Sequence, residues 1–253
     1  ASEALALSIG EKARVDLSYM AQLTGKTQEE IVTELRGVIF RVPNTEPAWY
    51  AAADEYLSGD VREKLKVAEI AAKQDASLSI NVEALKQVIP KDLSAAEIAV
   101  RLGTTWIPES DIQQFVMELL TPSSHAAGRI KVRYTPYNGD WFIENKTSDY
   151  GNVKADSTYG TKRASAYRII EDTLNLKDTR IFDYVYDEHG NKKAVFNHKE
   201  TTAAQAKQEV IKQAFQDWIW KDPERRNRLV RSYNDTFNSV RPREYDGRHI
   251  TFG

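Results

Sequence analysis

The chain has 253 residues, of which 41% are hydrophobic and 10% aromatic, enough to fill one large core or two ordinary ones. It contains no cysteine, which excludes a disulfide framework and a thiolate metal site and agrees with a reducing cytoplasm. No apolar run approaches the roughly 20 residues of a membrane span, so we expect a cytoplasmic protein with no membrane partner. The net charge of −2 argues against uniform coating of nucleic acid, so any polyanion contact must use a local excess of cations.

Residues 15–120 follow a mainly helical pattern. Gly25 separates two short helices, and Thr27 with Glu30 forms the capping-box pattern that starts the second one. Further elements are predicted as a strand at 38–42 and helices at 54–74 and 94–103. We therefore expect a helical domain over residues 1–120.

The apolar period changes from 3.6 to 2 around Thr121–Ser124, and we predict a domain boundary there. The elements predicted beyond it are a hairpin of 130–135 and 141–146, a strand at 152–159, a helix at 164–175, a second hairpin of 180–186 and 192–196, and helices at 201–221 and 223–240. The predicted class is α+β, with a mainly helical N-terminal part (1–120) followed by an α+β connecting part (121–253). The second part has antiparallel hairpins and two long C-terminal helices.

The first two predicted helices have the spacing of a helix-turn-helix, with Gly25 in the turn and Ile31 six residues further on. A wing would begin at 38–42. The second helix would display Gln28, Glu29, Val32, Thr33 and Arg36. Because Glu30 and Glu34 would repel phosphate, two interpretations stay open: a structural or protein-docking helical hairpin, and a DNA-reading unit.

No motif in the chain defines a reaction. Gly25-Lys26-Thr27 resembles the end of a phosphate loop, but Met20 occupies the place of the required first glycine. Glu144-Asn145-Lys146 resembles half of a metal-dependent nuclease site, yet Asp140, the nearest preceding acid, lies in a turn. The four histidines are too scattered to indicate a ligand set. We therefore predict no catalytic residue, no cofactor and no metal site in this chain.

The C-terminal region carries a local excess of positive charge, with eight Lys and Arg against five Asp and Glu between residues 221 and 248. Arginine is suited to bidentate phosphate contact, and we expect the arginines of 225–231 to point away from the apolar stripe of Leu229 and Phe237. A second anion site would lie at the start of the helix at 164–175, where two cations precede free N–H groups. The candidate DNA-binding residues are Arg225, Arg226, Arg228, Arg231, Arg241, Arg243, Arg248, Lys162 and Arg163.

Four strings of the sequence, at 56–65, 159–163, 166–175 and 233–247, resemble one protein family. It is that of the very large DNA methylase–helicase proteins carried by phages, plasmids and conjugative elements of bacteria, and the resemblance covers most of the chain. It implies a position just before a Swi/Snf-type motor of helicase superfamily two, with an adenine-specific methylase domain upstream. The tract at 241–253, which cannot continue the preceding helix, fits an excised fragment of such a polypeptide.

The resemblance transfers no catalytic residue, because neither the motor's phosphate loop nor the methylase Asx-Pro-Pro-aromatic tetrad occurs in this chain. It implies a non-catalytic accessory or connecting module that positions DNA or neighbouring domains. The expected partners are DNA and the adjacent helicase and methylase domains of the same polypeptide. A purely structural scaffold without DNA contact is the alternative, and an autonomous enzyme such as a metal-dependent nuclease is the third.

Overall fold

The computed structural model describes residues 1–244. Within them, helices are combined with small two-stranded antiparallel sheets, which confirms the predicted α+β class. Contacts divide the chain into two compact units. Unit 1 comprises Ala1–Leu93 together with the chain from Ser232 onward, and unit 2 comprises Ser94–Arg231.

Unit 1 begins with three short helices and a β-hairpin. These elements are α1 (Ser2–Lys12), α2 (Leu17–Thr24), α3 (Gln28–Glu34), β1 (Ile39–Arg41) and β2 (Tyr50–Ala52). Gly25 ends α2 at a φ of 67°, and Thr27 starts α3 with both hydrogen bonds of the predicted capping box. Met20, Ile31 and Leu35 are buried in the core that these elements share. The arrangement is that of a winged helix, in which residues 42–49 form the wing between β1 and β2.

The rest of the N-terminal part of unit 1 consists of α4 (Ala53–Tyr56), β3 (Gly59–Asp60), α5 (Val61–Ala72) and α6 (Ser79–Val88). The single helix predicted at 54–74 is therefore wrong. Gly59 adopts a φ of 71°, and the Asp60 side chain accepts the Glu63 N–H at 3.0 Å, so that a new helix starts at Val61. The glycine breaks the helix and the aspartate caps the next one.

Unit 2 contains the largest core of the chain. Its elements are α7 (Glu109–Leu120), α8 (Ser124–Ala127), β4 (Lys131–Thr135), β5 (Asp140–Glu144), α9 (Ala166–Leu174), β6 (Phe182–Tyr186), β7 (Lys192–Phe196), α10 (His198–Ile219) and the part of α11 (Pro223–Phe237) up to Arg231. Both hairpins, β4–β5 and β6–β7, lie where the sequence predicts them. The side chains of α7, α9 and α10 fill the core, with Phe115, Tyr167 and Phe215 fully buried.

Two elements predicted in unit 2 differ from the structure. The expected strand at 152–159 is a π-helical turn, Lys154–Thr158, because the Asn152 side chain accepts the Lys154 N–H and donates to the Leu120 carbonyl. The expected helix at 94–103 is a single turn. Its capping interaction between Ser94 and Glu97 forms, but no regular helix follows it.

The division into units differs from the boundary predicted at Thr121–Ser124. Phe115 before this tract and Phe215 after it pack in one core, with ring centroids 5.1 Å apart. The tract itself is tied down, because the Ser123 N–H donates to Asp149 at 3.2 Å. The change of apolar period at residue 121 thus marks a change of element type within one core.

The C-terminal segment of unit 1 closes on α5. β8 (Val240–Arg241) pairs antiparallel with β3. Arg62, only 7% exposed, donates to the Asn238 carbonyl at 2.8 Å and to the Asp92 carboxylate at 2.5 Å. Asn234 exchanges two hydrogen bonds with the Leu93 backbone, at 2.8 and 2.9 Å. Hydrogen bonds of a buried arginine and asparagine therefore join residues far apart in sequence.

The backbone approach at Gly160 yields a testable prediction. A Cβ at this position would lie 2.0 Å from the Ala155 carbonyl oxygen and 2.8 Å from the Ala166 nitrogen. Relief requires movement of the backbone, so we expect Gly160→Ala to destabilise the protein by about 1–3 kcal/mol in chemical denaturation.

Gly128→Ala is the matched control for this change. Gly128 has ordinary helical angles (φ −67°), and an added Cβ would meet nothing closer than 3.9 Å. We expect this substitution to be neutral or to stabilise by about 0.4–1 kcal/mol through the unfolded chain. Equal unfolding midpoints for the two variants would contradict the close approach at Gly160.

Candidate nucleic-acid interface

Helix α3 occupies the position of the second helix in the helix-turn-helix. Gln28, Glu29, Thr33 and Arg36 are exposed and Val32 is half-buried, so the face predicted to point outward is largely exposed. The Gln28 side chain donates to Ser18 on α2 at 3.1 Å, which holds the two helices in register. The exposed surface of α3 is therefore available to a partner, and its charge indicates whether that partner is DNA or protein.

The exposed surface of α3 is acidic. The helix contains Glu29, Glu30 and Glu34 and no cation. Lys26, just before it, is paired with Glu34. Hydrogen bonds from Thr27 lower the pKa of Glu30, and the Lys26 bond lowers that of Glu34, so both carboxylates are ionised at neutral pH. Such a surface repels the phosphates that flank a DNA groove.

Arg225, predicted to contact DNA, is instead a buried structural residue. It is 6% exposed, and its guanidinium lies 3.5 Å from the ring centroid of Trp218. The same group donates to the carbonyl oxygens of Ile219 at 3.0 Å and Trp218 at 2.7 Å. It thus satisfies orphan carbonyls at the C-terminus of α10, and its assignment to an exposed phosphate-binding face is wrong.

Arg228 has a different internal partner. Its two terminal nitrogens bind the carboxylate of Asp111 on α7, at 2.6 and 3.1 Å. The Asp111 side chain is only 4% exposed, whereas that of Arg228 is half exposed. The carboxylate raises the pKa of Arg228 further, and the arginine supplies the charge that a buried carboxylate requires.

The other cations of the C-terminal region are partly engaged. Arg226 is half-buried and donates to the Trp220 carbonyl at 3.5 Å, and Arg231 is exposed. Arg241 pairs with Glu244 at 2.9 Å, and Arg243 pairs with Asp54 at 2.7 Å. Arg248 lies outside the described residues. The structure therefore does not bring the predicted C-terminal arginines together as one exposed surface.

Lys162 and Arg163 lie at a different place, beside the start of β6. Arg163 donates to Asp183 at 2.7 Å and to the Phe182 carbonyl at 2.9 Å. Arg168 on α9, which sequence reasoning missed, donates to the Arg180 carbonyl at 3.0 Å. Lys162, Arg163, Arg168 and Arg180 are all exposed. We call these four residues the root cations, because Arg163 and Arg168 bond to the backbone at the start of the β6–β7 hairpin and Lys162 and Arg180 adjoin these contacts in sequence.

The β6–β7 hairpin carries an exposed aromatic face that sequence reasoning also missed. Phe182, Tyr184 and Tyr186 alternate along β6 and so share one face, and the register adds Phe196 opposite Phe182. Lys192 lies 4.1 Å from the centroid of the Tyr184 ring. The alternating aromatics were the available signal, but a half-buried hairpin has the same pattern.

The residues that suggested catalysis have other roles. Lys146 pairs with Glu171 at 2.5 Å, while Glu144 faces Arg133 at 3.7 Å, so the two halves of the nuclease-like motif do not converge. Among residues 1–244, no three His, Asp or Glu side chains are placed to hold a metal ion. None of the helices described combines the length and apolarity needed to cross a membrane.

Other prominent polar groups are also used within the fold. The buried Tyr167 hydroxyl donates to Asp149 at 2.7 Å, and burial followed by this bond raises the Tyr167 pKa. A cavity of about 440 Å³ in unit 1 is lined in part by Trp49, Tyr56 and Lys64. Lys64 donates to three backbone carbonyls there, and burial lowers its pKa. These groups hold loops and turns in place.

The pairing of Arg228 with Asp111 yields a stability prediction. Arg228→Ala leaves the Asp111 carboxylate buried without its cation, and we expect a loss of about 1–3 kcal/mol in chemical denaturation. The figure lies below the usual range for a fully buried pair because Arg228 is half exposed and solvent screens the interaction.

Two variants test the cause of that loss. Lys221→Ala removes an exposed cation seven residues before Arg228 and should leave the free energy of unfolding unchanged within about 0.5 kcal/mol. Adding Asp111→Asn to Arg228→Ala should restore part of the stability, because no charge then stays buried. Equal effects of Arg228→Ala and Lys221→Ala would contradict the structural role of the pair.

Comparison with known families places these features in context. A family model described as "Probable helicase, winged helix domain" matches residues 1–50, the segment that forms α1 to α3, β1 and the wing. This match supports association with a helicase. Searches among curated proteins and among solved structures gave no significant match. A second family model, described as "Domain of unknown function (DUF8437)", matches residues 101–239, more than half of the chain. The chain therefore belongs to the DUF8437 family.

Proposed function

We propose that this chain is a non-catalytic accessory module of a DNA methylase–helicase, which positions DNA, or a neighbouring domain, against the helicase motor in the cytoplasm. The observation that carries the proposal is the winged helix of unit 1, at residues that match a helicase winged-helix family. The methylase and the origin in phages, plasmids or conjugative elements rest on the resemblance of the four sequence strings.

The charge of the winged helix favours docking on a protein over reading a DNA groove. A recognition helix that enters the major groove lies between two phosphate backbones, where carboxylates are repelled. Helix α3 would bring Glu29, Glu30 and Glu34 into that position. We therefore assign the winged helix to contact with an adjacent domain of the same polypeptide.

DNA contact is assigned to unit 2, where the root cations lie beside an exposed aromatic face. Arg163 and Arg168 already bond to Asp183 and to backbone carbonyls, so the phosphate contacts are assigned to Lys162 and Arg180. Two such contacts would give a slope of log affinity against log salt of about −1.8 on duplex DNA and about −1.4 on a single strand. The alternative is a structural scaffold that joins methylase and helicase and contacts no DNA. The buried Arg225 and paired Arg228 favour that alternative for α11, but they do not bear on the root cations.

Binding of DNA to the chain tests this assignment. We expect weak, non-specific binding at low salt, measured by fluorescence anisotropy, with the salt slopes given above. Arg36→Ala, two residues beyond the end of α3, should leave the affinity for duplex DNA unchanged within about twofold, because α3 does not enter the groove. Tenfold weaker binding in this variant would return the winged helix to DNA reading, and no binding by the unaltered chain would support the scaffold.

The proposal also predicts that the chain neither hydrolyses ATP nor transfers methyl groups to DNA. It lacks the phosphate loop that cradles the phosphates of a nucleoside triphosphate, and it lacks the methylase tetrad. ATP turnover and methyl transfer should equal the protein-free blank in sensitive assays. Turnover that a single substitution in this chain abolishes would contradict the non-catalytic role.

A further inference from the structure

The β6–β7 hairpin projects from the core of unit 2. Nine of its ten strand residues are exposed and Asp183 is half-buried. A two-stranded hairpin without a packed face is marginally stable by itself, so its position depends on its root. There the Ile181 N–H donates to Thr201 at 2.9 Å, and the Asn197 side chain donates to Asp183 at 2.7 Å. The hairpin is thus anchored at one end and open along both faces.

One face of this hairpin carries exposed aromatic side chains that lie outside the core of unit 2. Tyr184 is 60% exposed and Tyr186 71% exposed, and Phe182 and Phe196 extend the same face toward the root. A contiguous exposed apolar patch of this kind marks an interaction site. Side chains two residues apart on a strand are about 6.8 Å from each other, which leaves room for one base, about 3.4 Å thick, between neighbouring rings.

Charge beside this face favours a polyanion. Arg163 and Arg168 bond to the backbone beside Phe182, and Lys192 lies over one face of the Tyr184 ring, so a base would stack on the opposite face of that ring. Two acids of the hairpin are engaged internally: Asp183 pairs with Arg163, and Asp187 accepts the N–H groups of His189 and Asn191 in the turn. Aromatic rings that stack on bases, combined with cations that follow the backbone, are the features that bind unpaired strands.

We propose that the β6–β7 hairpin is a platform for unpaired DNA, on which Tyr184 and Tyr186 stack against bases while Lys162 and Arg180 contact the phosphates. This inference rests on the proposed function and assigns the DNA form and the residues. Duplex DNA is a poorer ligand for the rings, because its bases are already stacked on one another. A protein strand added to the hairpin edge is the competing occupant, and the lysines at 192 and 193 oppose such pairing.

Ring substitutions test the stacking. Tyr184→Ala and Tyr186→Ala should each weaken binding of the full chain to oligothymidine about tenfold, and the double variant about a hundredfold. Tyr137→Ala and Tyr150→Ala are matched controls, because both residues lie in unit 2, are 99% exposed and lie outside this hairpin. Tyr184→Phe keeps the ring and should keep the affinity. Circular dichroism should be unchanged in all of them.

Cation substitutions test the phosphate contacts independently. Lys162→Ala with Arg180→Ala should flatten the salt slope on oligothymidine by about 1.4, whereas Lys131→Ala with Lys221→Ala, also exposed, should leave it unchanged. Equal effects of the hairpin and control tyrosines on DNA binding would overturn the platform while leaving the proposed function intact. Binding to duplex DNA but not to oligothymidine would also overturn the platform. So would a result in which the Tyr184 and Tyr186 substitutions only abolish self-association, measured by light scattering, and leave DNA binding unchanged. Absence of binding to any DNA would overturn both the platform and the assignment of DNA contact to unit 2, and would support the scaffold.

Discussion

A guanidinium group that leaves water must regain its hydrogen bonds inside the protein, and a buried carboxylate needs a cation. Arg62 meets this requirement in unit 1 by bonding to Asn238 and Asp92, and Arg225 meets it in unit 2 by closing the end of α10 over Trp218. Arg228 neutralises the buried Asp111. These pairings determine which arginines hold the fold and which are left for a ligand. The arginines that look like a basic helix face in the sequence therefore do not act as one.

The need to satisfy buried polar groups also explains why strings that are distant in the sequence lie next to each other in the structure. The strings at 56–65 and 233–247 meet in unit 1, where β3 pairs with β8 and Arg62 reaches the Asn238 carbonyl. The strings at 159–163 and 166–175 adjoin in unit 2, where Gly160 lets the backbone pass close to Ala155 before α9 begins. Each string supplies a backbone approach or a buried polar bond that few other residue types would permit.

Local patterns predicted most of the elements, because caps and turns act over a few residues. The Thr27–Glu30 capping box and both hairpins formed as expected, whereas Gly59 and Asp60 broke a helix that apolar spacing alone had joined. The burial of Arg225 was not predictable, since its partners are carbonyls freed only where α10 ends. The second hairpin was predicted at the right place, but the sequence could not show that both of its faces would be exposed, because exposure depends on what the other elements leave uncovered.

The two units differ in surface charge and therefore suit different partners. The exposed second helix of the winged unit holds carboxylates at positions where a DNA-reading helix needs neutral or cationic groups. In unit 2, the hydrogen bond from Arg163 lowers the pKa of the Asp183 carboxyl from its ordinary value, so the carboxylate stays ionised and paired at neutral pH. The contact that anchors the hairpin is therefore present at neutral pH and is lost only in acid, as pH falls through the lowered pKa. An acidic docking surface and an anchored, basic and aromatic hairpin are suited to the accessory module proposed above, in which the winged helix would contact a neighbouring domain and the hairpin would bind unpaired DNA.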